Sequence, residues 1–351
     1  MLTDLTGPVR TFGVDVEAAA ALAVAEVNVD GGINGTQIDL QVIDTSLQPE
    51  EAVQGLQQLT QEDAWAVIGP VSSTEAEPVF TQAAQLEIPV ITPTANQPGL
   101  TEAGAGWAFR NTPTAFQAYD AAMPKWAEVY GISSAAMVFD ETQAGPTAIA
   151  EMVVPPVAQM NGIEIVETVT IQEGQTDFTS VVQRVGGLDI GGLFVMSLPT
   201  EGGLLAQEMD RQGVELPVLG FAAQGSGAFR EAGGDAIRDW VVPIVFFPPA
   251  AGDAGAEFAT KMAAADPEPP TVPEAANAYE IVLMIAQVAT EAGIDGETEA
   301  VAARQAIREG LLALDGFEGP TGPTTFLENG DAEKIVYTLV FNGVEDTEVL
   351  D

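Results

Sequence analysis

Along this chain the spacing of apolar positions switches repeatedly between helical periods and short continuous runs. Between Asp15 and Val29, the residues Val16, Ala20, Ala23 and Val27 recur at three and four. That predicts a helix with one apolar stripe, ended by the turn residues Gly31-Gly32 and Asn34-Gly35. From Gln37 to Asp44 the period is two, with Ile38, Leu40 and Val42 opposite Gln37, Asp39 and Gln41. A strand with one wetter face, near a sheet edge, is expected there. Pro49 opens a helix whose buried side carries Val53, Leu56 and Leu59. Ala64 to Ile68 and Ile88 to Ile91 are short apolar runs that read as buried parallel strands, with a helix from Glu75 to Leu86 between them.

Phe109 to Pro113 reads as extended and Ala115 to Tyr130 as helical, after which a second series begins. Its strands are expected at Ala135 to Phe139, Glu164 to Val169, Leu193 to Met196, Val218 to Phe221 and Val241 to Phe247. Helices are expected at Pro146 to Met160, Asp177 to Val185 and Gly203 to Gln212. Beyond Ala254 the pattern is mainly helical, with long helices near Pro273 to Ala292 and Glu299 to Leu314 after a proline-rich connector, Pro267 to Pro273. Thr324 to Phe326 and Ile335 to Phe341 return to strand character around the turn Glu328-Asn329-Gly330-Asp331. Strands alternating with helices predict an α/β architecture, and 351 residues suggest two domains.

Each of the first two apolar runs is followed by a polar loop: Gly69-Pro70-Val71-Ser72-Ser73-Thr74 and Thr92-Pro93-Thr94-Ala95-Asn96-Gln97-Pro98. In open α/β sheets ligands bind beyond the carboxyl ends of the strands. Hydroxyls and free amides at a helix start can hold a small polar or anionic group there. The plainer reading of Ser72, Ser73 and Thr74 is a helix cap, which their residue types favour.

Composition narrows the function more than the fold. The net charge is −41, from 52 acidic and 11 basic residues, which repels phosphate backbones and anionic lipid. Nucleic-acid binding is not expected, and the charge reads as a solubility device suited to a salty habitat. Cysteine and histidine are absent, which removes thiol nucleophiles, disulfides, most zinc sites and every Ser-His-Asp arrangement. No cofactor or metal is implied. No nucleotide-binding or nucleophile-elbow motif occurs, and Gly225-Ser226-Gly227 lacks the spacing of a dinucleotide fingerprint. No apolar run approaches a membrane span and no signal peptide precedes Met1-Leu2-Thr3-Asp4, which reads as the end of a strand. The natural product is therefore expected to be longer, with an export signal upstream.

A set of landmarks in order along nearly the whole chain resembles the type I periplasmic binding proteins, in the branched-chain amino acid and amide branch of ABC-transporter receptors. They are Leu5-Thr6-Gly7-Pro8, Glu26-Val27-Asn28 with Gly31-Gly32-Ile33-Asn34-Gly35, Val67-Ile68-Gly69-Pro70 with Ser72-Ser73, and Ile91-Thr92-Pro93 with Leu100-Thr101. Thr176-Asp177-Phe178 and Gly319-Pro320-Thr321-Gly322 with Asn329-Gly330-Asp331 complete them. The resemblance implies two Rossmann-like lobes of parallel sheet flanked by helices, joined by three crossings, with the ligand cleft between the lobes. Residues 1–115 and 249–320 are expected in the first lobe, and 116–248 and 321–351 in the second. It implies an extracytoplasmic receptor, periplasmic or lipid-anchored, monomeric, that closes on a small-molecule ligand and delivers it to permease subunits.

By the same resemblance, Ser73 holds a ligand carboxylate through its hydroxyl and amide. Thr94 contributes mainly backbone, Ala95 lies beside it, and Asn96 replaces a usual threonine. Phe12 matches an aromatic position lining the first lobe, and Ser72 adjoins Ser73. In the second lobe Ala144 and Leu198 stand where the family has pocket tyrosines. Ala222 stands where an acid pairs with the ligand ammonium, with Gln224 close by. A buried ammonium without a charged partner is costly. The ligand is thus either an amino acid held by a relocated acid, such as Glu201 or Glu141, or a solute lacking the ammonium. The second alternative, an aliphatic or aromatic carboxylate or an amide, is favoured by the small residues at 144 and 222. A cytoplasmic ligand sensor of the same fold, and more remotely an enzyme, are the rival functions.

Overall fold

The structure is a computed structural model and describes residues 1–265, 272–344 and 346–350. The expected connector from Pro267 to Pro273 lies outside the described residues as far as 271. The chain divides into two compact units: Met1–Thr114 with Val245–Ile335, and Ala115–Ile244 with Val336–Asp351.

In the first unit, Val67–Ile68, Val90–Thr92 and Ala108–Arg110 pair in parallel, in that order. Successive side chains on a strand face opposite ways. Ile68, Ile91 and Phe109 accordingly enter one core with Val16, Ala20 and Ile281, while Val67, Val90 and Ala108 enter another with Leu56, Val79 and Phe80. Burial on both faces explains why these runs read as unbroken apolar stretches. The helices Arg10–Val29 and Ala275–Glu291 pack on one another through alanines, among them Ala19, Ala20, Ala23, Ala276 and Ala278. Small side chains there let the two backbones approach closely.

Three expectations for this unit change. The helix begins at Arg10 instead of Asp15, because the Asp4 carboxylate accepts the Gly7 and Val9 N–H groups (2.5 and 2.8 Å) and shapes the turn before it. Residues 37–42 keep the expected alternation of exposure but make no ladder. Asn28 takes both backbone groups of Ile38 through its side chain, and only Ile43–Asp44 pairs with Leu2–Thr3. Residues 321–335, expected in the second lobe, belong to the first unit, as do 245–248. Asp331 accepts from Arg110 and Thr101, Thr321 donates to Glu280, and Val245 and Phe246 are buried in the first unit's core.

The second unit is built on one seven-stranded sheet. Its order is Thr347–Val349, Tyr337–Phe341, Trp240–Ile244, Val218–Gly220, Gly192–Met196, Ser134–Asp140, Glu164–Ile171. The last five are parallel, and the two C-terminal strands add antiparallel to Trp240–Ile244. Trp126 and Trp240 are buried against Phe194 and Phe229, with ring centroids 5.1 and 5.0 Å apart. The helix expected to Met160 begins at Ala144 and widens into a π turn at Ile149–Val153 before resuming at Val154. Pro155 and Pro156 supply no N–H to a regular ladder there.

Candidate functional site

The two polar loops of the first unit are locked together by their own side chains. Gly69 N–H donates to Ile91 O, continuing the sheet to its carboxyl edge (2.8 Å). The Thr92 hydroxyl donates to Pro70 O (2.7 Å) and accepts the Ala95 N–H (3.0 Å). The Thr94 hydroxyl donates to Val71 O (2.5 Å). Both threonines are therefore spent on framework, and the Thr94 N–H also turns inward, donating to the Thr92 hydroxyl oxygen (3.3 Å).

Ser72 and Ser73 separate cleanly into two roles. Ser72 is the cap of the helix Ser73–Leu86: its oxygen accepts the Glu75 N–H (3.3 Å) and its hydroxyl donates to Glu75 Oε2 (2.9 Å). Ser73, 7 % exposed, makes no side-chain hydrogen bond among the described residues. It sits in the first turn of that helix, where amides lack intrahelical partners and the helix dipole favours negative charge. Asn96 is half-buried with an uncommitted amide, and Ala95 is buried in the core beneath the loop. Phe12 is buried on the Arg10–Val29 helix. Of these groups, the Ser73 hydroxyl and the Asn96 amide can donate hydrogen bonds to an anion, whereas the Ala95 N–H is already taken by Thr92.

Beneath the second loop lies a buried network. Asn277 donates to Pro93 O (2.8 Å), and Asn111 donates its backbone N–H to Thr92 O (2.9 Å). The Asn111 side chain donates to Asn277 O and Glu280 Oε2. Glu280 also takes the Thr321 N–H and hydroxyl, and the Lys334 ammonium at 2.6 Å. Burial pulls the Lys334 pKa below its ordinary value against the pull of Glu280. Every hydrogen bond here is local to the first unit and holds the loop in place.

Three polar groups near the loops escape sequence reasoning. Burial raises the Glu75 carboxyl above the usual range, and one of its oxygens has no partner. Gln97 Oε1 is likewise buried and unpaired. Glu274, at the start of the helix Ala275–Glu291, is buried with an unpaired Oε2, and burial pushes it up to about 7. Among 52 acids no local signature selects Glu274; only its tertiary burial does.

In the second unit the expected positions lie at the carboxyl ends of parallel strands. Ala144, Leu198 and Ala222 are each half-buried, after Ser134–Asp140, Gly192–Met196 and Val218–Gly220. Gln224 is fully buried and fully used: it accepts the Phe221 N–H (3.0 Å) and donates to the Ser197 hydroxyl (3.1 Å). It ties two strand ends together and has no free hydrogen-bonding atom to present. Glu201, 6 % exposed, accepts the Gly174 N–H (2.8 Å), while Glu141 is exposed. Asp140 was not anticipated; Thr142 holds its Oδ1, and its buried Oδ2 has no partner.

Among the described residues, no group of three or more acids converges as a metal site, and no helix is long and apolar enough to cross a membrane. The family model described as periplasmic binding protein matches residues 1–343. A Leu/Ile/Val-binding protein of Rhizobium johnstonii, BraC3, is 28% identical over 346 residues, covering 97% of this chain and 89% of its own length. The isoleucine complex of LivJ, a branched-chain amino acid transporter substrate-binding protein of Streptococcus pneumoniae, superposes with a TM-score of 0.88. It is 25% identical and covers 99% of this chain and 97% of its own. A solute-binding protein of R. palustris in complex with benzoate shares the fold, with a TM-score of 0.86 at 19% identity, covering 99% of this chain and 94% of its own.

Proposed function

The chain belongs to the periplasmic binding protein family, and we propose that it serves as the extracytoplasmic receptor of an ABC importer for a small carboxylate-bearing solute. The observation that carries this is the uncommitted Ser73 hydroxyl at a helix start, in a loop that Thr92 and Thr94 hold rigid. A carboxylate there would gain charge-assisted hydrogen bonds from the hydroxyl and neighbouring amides. Relatives named for leucine, isoleucine and valine, and a neighbour holding isoleucine, support an amino acid; the benzoate complex keeps aromatic acids within range.

In this reading the first unit supplies the polar grip on the solute's carboxylate. The protein acts as a monomer and hands its solute to permease subunits. Its charge of −41 keeps it dispersed at high salt.

A thermal-shift screen with amino acids, amides, and aliphatic and aromatic acids tests the reading, because a ligand that binds only the folded state raises the melting temperature. At least one carboxylate should shift it strongly, and Ser73→Ala should weaken that ligand at least about tenfold. A panel without a single carboxylate hit would defeat the proposal.

A further inference from the structure

Two buried acceptor atoms in the first unit lack a donor. Glu274 Oε2 and Asn277 Oδ1 are sealed from solvent, and neither receives a hydrogen bond among the described residues. The residues are 5 % and 0 % exposed. Glu274 has helical backbone angles, so the two, three apart, share one face of the helix Ala275–Glu291. The Asn277 amide, donating to Pro93 O at 2.8 Å, places that face against the base of the second loop.

A buried carboxylate with no cation is costly, and natural chains keep one where something compensates. Helix capping does not compensate here, since Glu274 makes no side-chain cap hydrogen bond. The lysines that contact this helix are committed elsewhere: Lys334 to Glu280 and Asn111, Lys261 to Tyr279, Glu26 and Glu257. What the pair lacks is a compact donor with several N–H groups. An ammonium carries three, in a geometry free to rotate.

We propose that Glu274 and Asn277 take the ammonium of an α-amino acid whose carboxylate is held by the Ser73 and Thr94–Asn96 loops. Both charged ends of the zwitterion are then gripped by the first unit. This rests on the reading of those loops as the carboxylate site, and it relocates the acid missing at Ala222 to the other half of the chain. It also reverses the preference, drawn from sequence, for a solute without an ammonium. Asp140, with its own unpaired Oδ2 in the second unit, is the competing acid.

Matched pairs of probes that differ in the ammonium decide the matter: L-valine with isovalerate, L-leucine with isocaproate, and L-phenylalanine with hydrocinnamate. Calorimetric titration of the wild-type protein should find at least one amino acid bound tenfold or more tightly than its partner acid. Glu274→Gln, nearly isosteric, should cost that amino acid at least about tenfold while leaving the partner acid unchanged or tighter. Asp140→Asn should leave the preference intact. Unchanged amino-acid affinity in Glu274→Gln overturns the proposal, as does loss of the preference in Asp140→Asn. Tighter binding of the deaminated acids, still dependent on Ser73, would overturn it while sparing the carboxylate reading. Failure of all six probes to bind would overturn it for these side chains, and an intact Ser73 dependence for other acids would again separate the two readings.

Discussion

At the carboxyl ends of their parallel strands the two units treat polar side chains in opposite ways. The first unit commits its threonines and asparagines to framing two loops, then leaves Ser73, Asn96, Glu274 and Asn277 Oδ1 with capacity to spare. The second unit uses its longest amides internally: Gln224 joins two strand ends, and Gln143 donates to Glu173 at 2.6 Å. Its expected contact positions are left as alanine and leucine. The difference teaches that residue type states what a group can do, while its existing partners decide whether it is available. A polar grip belongs where donors and acceptors are unspent, and shape selection where they are absent.

The largest expected effect concerns the framework beneath the grip. Lys334→Met would leave Glu280 buried without its cation and should destabilise the protein by about 3–5 kcal/mol, read from denaturant unfolding. A loss within experimental error would mean the network is not what holds the second loop.

The comparison is sharpened next by pH. Burial raises Glu274 from an ordinary 4.5 to about 7, so the folded state holds this proton more tightly than the unfolded one. Its contribution is present in full below about 4.5 and is lost as pH rises through about 7. Without ligand, the wild-type protein should lose ~3 kcal/mol over that window relative to Glu274→Gln. Parallel pH profiles for the two proteins would remove the uncompensated carboxylate from the account.

A smaller effect is expected in the second unit. Gln224→Leu strands the Phe221 N–H and the groups at Ser197, and should cost about 1–3 kcal/mol of stability. The remaining folded protein should bind its solute as before. A large affinity loss with unchanged stability would make Gln224 a contact residue and blur the contrast between the units.

Much of the fold is legible in the sequence because period follows burial. Val67-Ile68 and Val90-Ile91 face two cores at once and so appear as continuous apolar runs. The Gln37–Val42 segment alternates just as a strand would, because alternation reports one buried side and is silent about a pairing partner. Thr324 to Phe326 and the turn Glu328 to Asp331 read as strand and turn whichever unit they join, and only Arg110 and Glu280, distant in sequence, reveal where they belong. The first-unit loops are legible for their residue types. The division of labour between Ser72 and Ser73 is not, since both are good caps and only the hydrogen bond to Glu75 distinguishes them. Glu274 is hidden for the same reason: desolvation is a property of the packed chain.

The most direct test of the unspent grip compares Ser73→Ala with Ser72→Ala by calorimetric titration against the strongest carboxylate hit of the screen, alongside unfolding curves. Ser73→Ala should lose about 1.5–3 kcal/mol of binding with stability nearly unchanged. Ser72→Ala should lose about 1 kcal/mol of stability through the missing cap and keep its affinity. The opposite pattern, with affinity lost at Ser72 and kept at Ser73, would contradict the account.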